Sequence, residues 1–253
     1  MDVNGVAAVV TGGASGLGEA SGRALAAAGA KVALLDVNVE GAKAVAKEIG
    51  GIGLHCDVTD PDGAQAALAK AAEAHGVAQV LINCAGIGRA DRIVGRDGPM
   101  DLENYASVIN INLIGTFNML RLASMEMSKL EPQESGERGI IVNTSSVAAW
   151  DGQVGQAAYS SSKGAIASLT LPAARELARY GIRVLAIAPG LFATPMMFQL
   201  PEDVQESLGE SVPFPSRLGR PDEYAKLVVH MIDNEMLNGE VIRLDGALRM
   251  APR

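Results

Sequence analysis

The chain has 253 residues, 48% of them hydrophobic and 20% charged, with a formal net charge of −8 and two cysteines. That length fits one α/β domain with a large core, and the acidic balance disfavours a general nucleic-acid-binding surface. No stretch approaches the roughly eighteen apolar residues of a membrane span, two cysteines make no disulfide framework, and no His/Cys/carboxylate cluster has metal spacing.

In chain order, Val6–Val10 is an apolar run rich in β-branched residues, the pattern of a strand buried on both faces. It leads into Thr11-Gly12-Gly13-Ala14-Ser15-Gly16-Leu17-Gly18 and the Ala-rich helical stretch Glu19–Ala28. A glycine-rich turn from strand to helix lets the main chain approach a pyrophosphate, which the helix N-terminus meets with N–H groups and its positive dipole end. The spacing Gly12-x-x-x-Gly16-x-Gly18 has one wider gap than the common Gly-x-Gly-x-x-Gly form, and a plain tight turn is the alternative for this loop alone. Lys31–Leu35 reads as the next strand, ending at Asp36, eighteen residues past Gly18. An acidic residue at about that distance accepts hydrogen bonds from the adenosine ribose and repels a 2′-phosphate. With no Lys or Arg in Gly12–Gly18, the expected cofactor is NAD rather than NADP. The alternative is a solvated Asp capping the turn before Val39.

The alternation continues with a strand at Ile52–Cys56, a helix over Pro61–His75 capped by Asp60, and a strand at Gln79–Ile82. A long helix is predicted over about Leu102–Lys129, a strand over Gly139–Asn143, and a helix from about Gln156 to Tyr180 with a kink at Pro172. Ile182–Ile187, the helix Pro221–Asn234 and Val241–Leu244 complete the series, with loop-rich segments at Gly86–Pro99, Glu131–Arg138 and Gly190–Arg220. Strands alternating with helices imply a single-domain Rossmann fold over 1–253, a doubly wound parallel sheet of about seven strands. Ligands of such sheets lie beyond the strand C-terminal ends.

Tyr159-Ser160-Ser161-Ser162-Lys163, with Ser146 thirteen residues upstream, is the most informative motif. A Tyr and a Lys four apart project from one helix face. The free phenol has a pKa near ~10, and a fixed ammonium beside it lowers that value toward useful acid–base chemistry. Ser146 would supply a hydroxyl to hold the reacting oxygen; Ser145 is its rival, and the spacing to Tyr159 favours Ser146. An amphipathic helix with a surface Lys is the alternative.

With these motifs in order along essentially the whole length, the chain resembles the short-chain dehydrogenase/reductase family. Thr11–Gly18, Asp57, Asn83-Cys84-Ala85-Gly86, Asn112, Ser146, Tyr159, Lys163 and Pro189-Gly190 carry the resemblance. Gly152–Tyr159, Ala188–Thr194, Val212–Gly219 and Asn238–Gly246 are similar to its type 2 3-hydroxyacyl-CoA dehydrogenase branch, also called type 10 17β-hydroxysteroid dehydrogenase. Cys84 stands where a second Asn is commoner in the broad family and matches that branch.

The resemblance implies an NAD-dependent oxidoreductase interconverting 3-hydroxyacyl-CoA and 3-oxoacyl-CoA, with Asn112, Ser146, Tyr159 and Lys163 catalytic. Asn112 would disturb its helix to hold a proton-relaying water, and the family pattern favours it over Asn110. Ser15, Leu17, Asp36, Asp57, Val58, Cys84, Gly86, Tyr159, Lys163, Pro189, Phe192 and Thr194 would join Gly12, Gly16 and Gly18 around the cofactor. Ser146, Gln156 and Tyr159 would contact substrate. The apolar residues of Leu191–Pro215 suggest a lid over about 190–220, with a small satellite core as the alternative, and suit an acyl chain or a steroid equally. Arg89, Arg92 and Arg96 are candidates for coenzyme A phosphates, or form a solvated loop. Competing readings are a 17β-hydroxysteroid or other secondary-alcohol dehydrogenase, an acyl-carrier-protein reductase that Asp36 disfavours, and a non-catalytic scaffold in RNA processing. The resemblance further suggests a homotetramer; the free cysteines suit a reducing cytoplasm, with the mitochondrial matrix also compatible, and no metal, nucleic acid or membrane partner is expected.

Overall fold

Among the described residues seven strands form: β1 Ala7–Thr11, β2 Lys31–Asp36, β3 Ile52–His55, β4 Val80–Asn83, β5 Gly139–Thr144, β6 Ile182–Pro189 and β7 Val241–Leu244. The structure, a computed structural model, describes residues 1–96 and 98–252; Asp97 and Arg253 of the expected 1–253 span lie outside the described residues. All neighbouring strands pair in parallel, in the order β3-β2-β1-β4-β5-β6-β7. The order reverses between β1 and β4, where the crevice of a doubly wound sheet opens at the strand C-terminal ends.

The helices are α1 Gly16–Ala27, α2 Val39–Ile49, α3 Pro61–His75, α4 Leu102–Ile109, α5 Gly115–Met127, α6 Ala157–Leu177, α7 Glu202–Glu210 and α8 Pro221–Asp233. The run in β1 is apolar without alternation because both faces are covered. Ala8 and Val10 join a core with Leu34, Ile82 and Val142 under α1, α2 and α8. Val9 faces the opposite core with Leu35, Leu81 and Ile141 under α3, α5 and α6. Helix α3 starts as predicted, with Pro61 in its first turn and the Asp60 carboxylate accepting from the Asp62 N–H at 3.1 Å.

The long helix predicted over 102–129 is interrupted by a π-helical turn at Asn110–Ile114, so α4 and α5 are two segments of one rod. Helix α6 passes through Pro172, where a kink was predicted, and continues to Leu177. The predicted loop 190–220 contains a short 3-10 turn at Met197–Gln199 and the unforeseen α7. Val204 and Leu208 are the only large apolar residues in this nine-residue helix, and Val204 is 38% exposed, so α7 carries too little apolar surface to stand out in a loop-rich stretch. Among the described residues no helix is long and apolar enough to cross a membrane, and no group of three or more His, Cys, Asp or Glu could hold a metal ion.

Candidate active site

The glycine turn between β1 and α1 is shaped by what its residues lack. Gly12 has φ +65°, and a Cβ there would stand 2.8 Å from the Ala85 nitrogen, where β4 ends. A Cβ on Gly18 would stand 2.1 Å from the Gly12 carbonyl oxygen, so the first turn of α1 can seat against the loop only as glycine. Ser15 precedes α1 in an extended conformation, and its side chain makes no capping bond. The N–H groups of that helix start therefore keep donor capacity for an anion. Asp36, at the end of β2, accepts from the Ala14 N–H at 3.1 Å through one carboxylate oxygen and from the Asn38 N–H at 2.9 Å through the other. These bonds fix the carboxylate beside the turn.

At the strand-order reversal the ends of β1 and β4 are stitched together by a side chain. The Thr11 hydroxyl accepts from the Cys84 and Ala85 N–H groups, both at 3.2 Å, while donating to Asn83 Oδ1 at 3.4 Å. Asn83 Nδ2 donates on to Asn143 Oδ1 at 2.9 Å, reaching β5. Asn112 is fully buried on the π turn. Its amide accepts from the Ile87 N–H at 2.8 Å and donates to the Ile87 carbonyl at 2.9 Å, holding the loop that follows Gly86 like a strand partner. It also donates to the Ser162 hydroxyl at 3.1 Å, which donates to the Tyr159 carbonyl at 2.7 Å.

On α6, the Lys163 ammonium donates to the main-chain carbonyl of Thr144 at 2.8 Å and lies 5.6 Å from the centre of the Tyr159 ring. Burial lowers the Lys163 pKa from 10.5 to about 8. Burial also raises the Tyr159 phenol, with the Ser146 hydroxyl acting in the opposite direction. Desolvation of the phenolate thus outweighs the lowering by a neighbouring ammonium that the sequence led us to expect. Ser146 is buried, and its hydroxyl accepts from the Ala148 N–H at 3.1 Å, capping the short turn Val147–Ala149.

Residues 6–205 match the family described as short chain dehydrogenase. The chain belongs to that family. It is 52% identical over 254 residues to the human 3-hydroxyacyl-CoA dehydrogenase type-2, covering 99% of this chain and 97% of that one. Identity to the protein of the same name from Drosophila melanogaster is 50% over 248 residues, covering 96% and 97%. The crystal structure of 3-hydroxyacyl-CoA dehydrogenase type-2 from Mycobacterium avium superposes with a TM-score of 0.93 at 42% identity, covering 98% of both chains. As a short chain dehydrogenase, the chain is an oxidoreductase on a Rossmann-type sheet.

Most of the sequence-predicted residues converge on one crevice. Gly12, Ser15, Gly16, Leu17 and Gly18 make the turn from β1 into α1 beside Asp36, and Cys84 and Gly86 follow β4. Asn112 and Lys163 meet at Gly86, where an added Cβ would lie 3.1 Å from Asn112 Oδ1 and 3.7 Å from Lys163 Nζ. Thr194 closes from the opposite side, 3.6 Å from the Cβ position of Gly16. Four predicted residues spend their side chains elsewhere. The exposed Asp57 carboxylate accepts from the Thr59 N–H at 2.9 Å and hydroxyl at 2.7 Å, and the Gln156 side chain accepts from the Gln153 N–H at 3.0 Å. Phe192 is core, edge-on to Tyr224 with ring centres 6.4 Å apart. Cys84 turns its thiol toward Thr144 and Tyr224. Val58 is buried against Gly115, and Pro189 ends β6. Sequence reasoning missed Thr11, Asn83, Thr144 and Ser162 as builders of the site, although each lies inside or beside a quoted motif. Tyr224, 61 residues beyond Lys163, left no local signal.

Proposed function

We infer that the chain is an NAD-dependent dehydrogenase interconverting 3-hydroxyacyl-CoA and 3-oxoacyl-CoA. The observation that carries this reading is the buried Lys163 ammonium, fixed on the Thr144 carbonyl and set against the Tyr159 ring. The residues suit a dinucleotide. The Gly12 and Gly18 positions leave room for main chain only, and the α1 N-terminus offers donors to a pyrophosphate. Asp36 keeps lone pairs beyond its two main-chain bonds for ribose hydroxyls, and its charge opposes the 2′-phosphate of NADP.

In the oxidative direction Ser146 and Tyr159 hold the substrate's 3-hydroxyl, and the Tyr159 phenolate oxygen takes its proton. NAD, when bound, supplies the hydride acceptor for the carbinol carbon. Burial disfavours a lone phenolate and a lone ammonium alike, so deprotonating Tyr159 beside Lys163 gives each buried charge its partner. Asn112 holds the Ile87 loop and the start of the Tyr159 helix together, and its place on the π turn suits the predicted water relay.

The 190–220 segment is read as the substrate lid. It rests on both sides of the crevice, with Thr194 near Gly16 and Met196 Sδ 2.8 Å from the Cβ position of Gly88. Its exposed Met196, Phe198, Leu200 and Val204 suit an acyl chain. Arg89, Arg92 and Arg96 are exposed beside Ile93 and Val94, where guanidinium forks can meet coenzyme A phosphates. A homotetramer belongs to the same reading, with Leu171 on α6 44% exposed and available for a subunit contact.

The test is initial rates of acetoacetyl-CoA reduction with NADH and with NADPH, alongside Tyr159→Phe. Turnover should prefer NADH and fall at least ~10²-fold in the variant, the lower end for positioned acid–base catalysis. Silence with acetoacetyl-CoA while NADH still binds would move the substrate to a steroid or another secondary alcohol. Near-parental turnover in the variant would remove Tyr159 from the chemistry.

A further inference from the structure

Behind the Lys163 site lies a short line of hydroxyl groups whose proton order the distances settle. The Thr144 hydroxyl is 2.6 Å from the Asn83 carbonyl oxygen, which can only accept, so the single Thr144 proton points there. Thr144 Oγ1 is also 2.8 Å from the Tyr224 hydroxyl, and Tyr224 must be the donor in that contact. The Cys84 thiol lies 3.5 Å from Thr144 Oγ1 and 3.8 Å from the Tyr224 oxygen, closing a triangle beside this pair. Phenol and alcohol thus donate in one direction, from Tyr224 through Thr144 to the end of β4. The far end of Thr144 is what matters for chemistry, since its own main-chain carbonyl receives the Lys163 ammonium.

Tyr224 is fully buried on α8, and a ring alone would satisfy the apolar core around it. A phenol in that position costs desolvation unless its hydroxyl is bonded. Burial raises its pKa well above 10.0, so it stays a neutral donor across the working pH range. Its ring meets Phe192 edge-on, and Phe192 lies at the root of the 190–220 segment. The two roots of that segment are paired through Ala193 N–H to the Gly219 carbonyl and Gly219 N–H to the Leu191 carbonyl, both at 2.8 Å. Tyr224 therefore touches the lid root with its ring and the Lys163 anchor with its hydroxyl.

We propose that Tyr224 is a positioning residue for Lys163: by donating to Thr144 it holds the end of β5 so that the Thr144 carbonyl receives the ammonium. The proposal rests on the role assigned to Lys163 above. The titratable groups that face Lys163 are Tyr159 on its own helix and Cys84 at the end of β4, with Tyr224 behind Cys84. A carbonyl that drifts stabilises the ammonium less, so Lys163 loses its proton at lower pH. In the oxidative direction, where the Tyr159 phenolate needs the ammonium beside it, the alkaline limb of kcat/KM should then move down.

The experiment measures kcat, KM, the pH profile of kcat/KM and Tm for Tyr224→Phe, Thr144→Val, Thr144→Ser and Lys163→Met. Tyr224→Phe keeps the ring against Phe192 and removes only the hydroxyl. It is expected to lower the alkaline limb by about half a pH unit, the scale of one net hydrogen bond, and to reduce kcat several-fold with KM little changed. Thr144→Val should do the same, while Thr144→Ser restores the parental profile. A Tyr224→Phe enzyme with parental kcat and pH profile overturns the proposal, whatever its Tm. So does a Thr144→Ser variant as impaired as Thr144→Val, and that pair decides the matter should Tyr224→Phe fold poorly. Parental activity in Lys163→Met would instead overturn the role of Lys163 itself.

Discussion

The two ends of the crevice reach positional accuracy by opposite means. At the nucleotide end, between β1 and β2, atoms are placed by omission. Gly12, Gly13 and Gly18 each stand where a Cβ would come within 2.8 Å of a neighbour, so main chain packs directly on main chain or on Leu34. At the reaction end, between β4, β5 and α6, atoms are placed by addition. Thr11, Asn83, Asn112, Thr144, Ser162 and Lys163 are buried polar groups held by one another and by carbonyls. Close packing of main chain tolerates no added volume. A buried polar cluster tolerates shape-conserving exchange but not an orphaned partner.

The largest test of this contrast is Gly18→Ala. A methyl 2.1 Å from a carbonyl oxygen must displace the loop or the helix, at a cost of about 3 kcal/mol. Both Tm and NADH affinity should fall together; a variant with parental values for both would break the account of the nucleotide end.

At the reaction end the corresponding test is titration. Lys163 has its pKa lowered to about 8 in the folded protein from 10.5. Between those values the unfolded chain binds more protons, so the stability lost to burying this ammonium is regained as pH rises from about 8 to 10.5. The effect is bounded near 3 kcal/mol by the size of the shift. Lys163→Met should therefore be more stable than the parent at pH 7, and that advantage should shrink toward pH 9.5 in paired thermal melts. Parallel curves would mean the ammonium is solvated.

A smaller effect is expected from Asp36→Ala, which removes a carboxylate but adds no volume. Loss of one charge-assisted bond is worth about 1.5 kcal/mol, or roughly tenfold in NADH affinity, with preference over NADPH relaxed. Fluorescence titration of both cofactors measures it; unchanged affinity and preference would leave Asp36 as a structural tie between the glycine turn and Asn38.

Much of this molecule was legible in its sequence because its strands are buried on both faces and its helices are punctuated by strong signals. All seven strands were expected within two residues of their observed ends, and Asp60-Pro61 marked the start of α3. The Tyr159/Lys163 pair was legible because one helix face dictates it. Helix α7 was not, since it is nine residues long and carries only two large apolar residues, Val204 and Leu208. The π turn was foreseen only as a disturbance at Asn112, because hydrophobic pattern does not distinguish five residues of π helix from α.

Neighbouring residues alone set the order of strands and helices, the glycine turn, the acidic residue after β2 and the spacing of Ser146, Tyr159 and Lys163. These are local properties, set within a turn or one element. What the buried side chains do with their hydrogen bonds was settled by the packing of the whole fold. It bound Asp57 to Thr59, placed Phe192 in the core, and brought Tyr224 to Thr144 across 80 residues of chain. Partners of that kind are chosen by the strand order and by the penalty for an unpaired buried polar atom, and neither is written in any stretch of neighbouring residues.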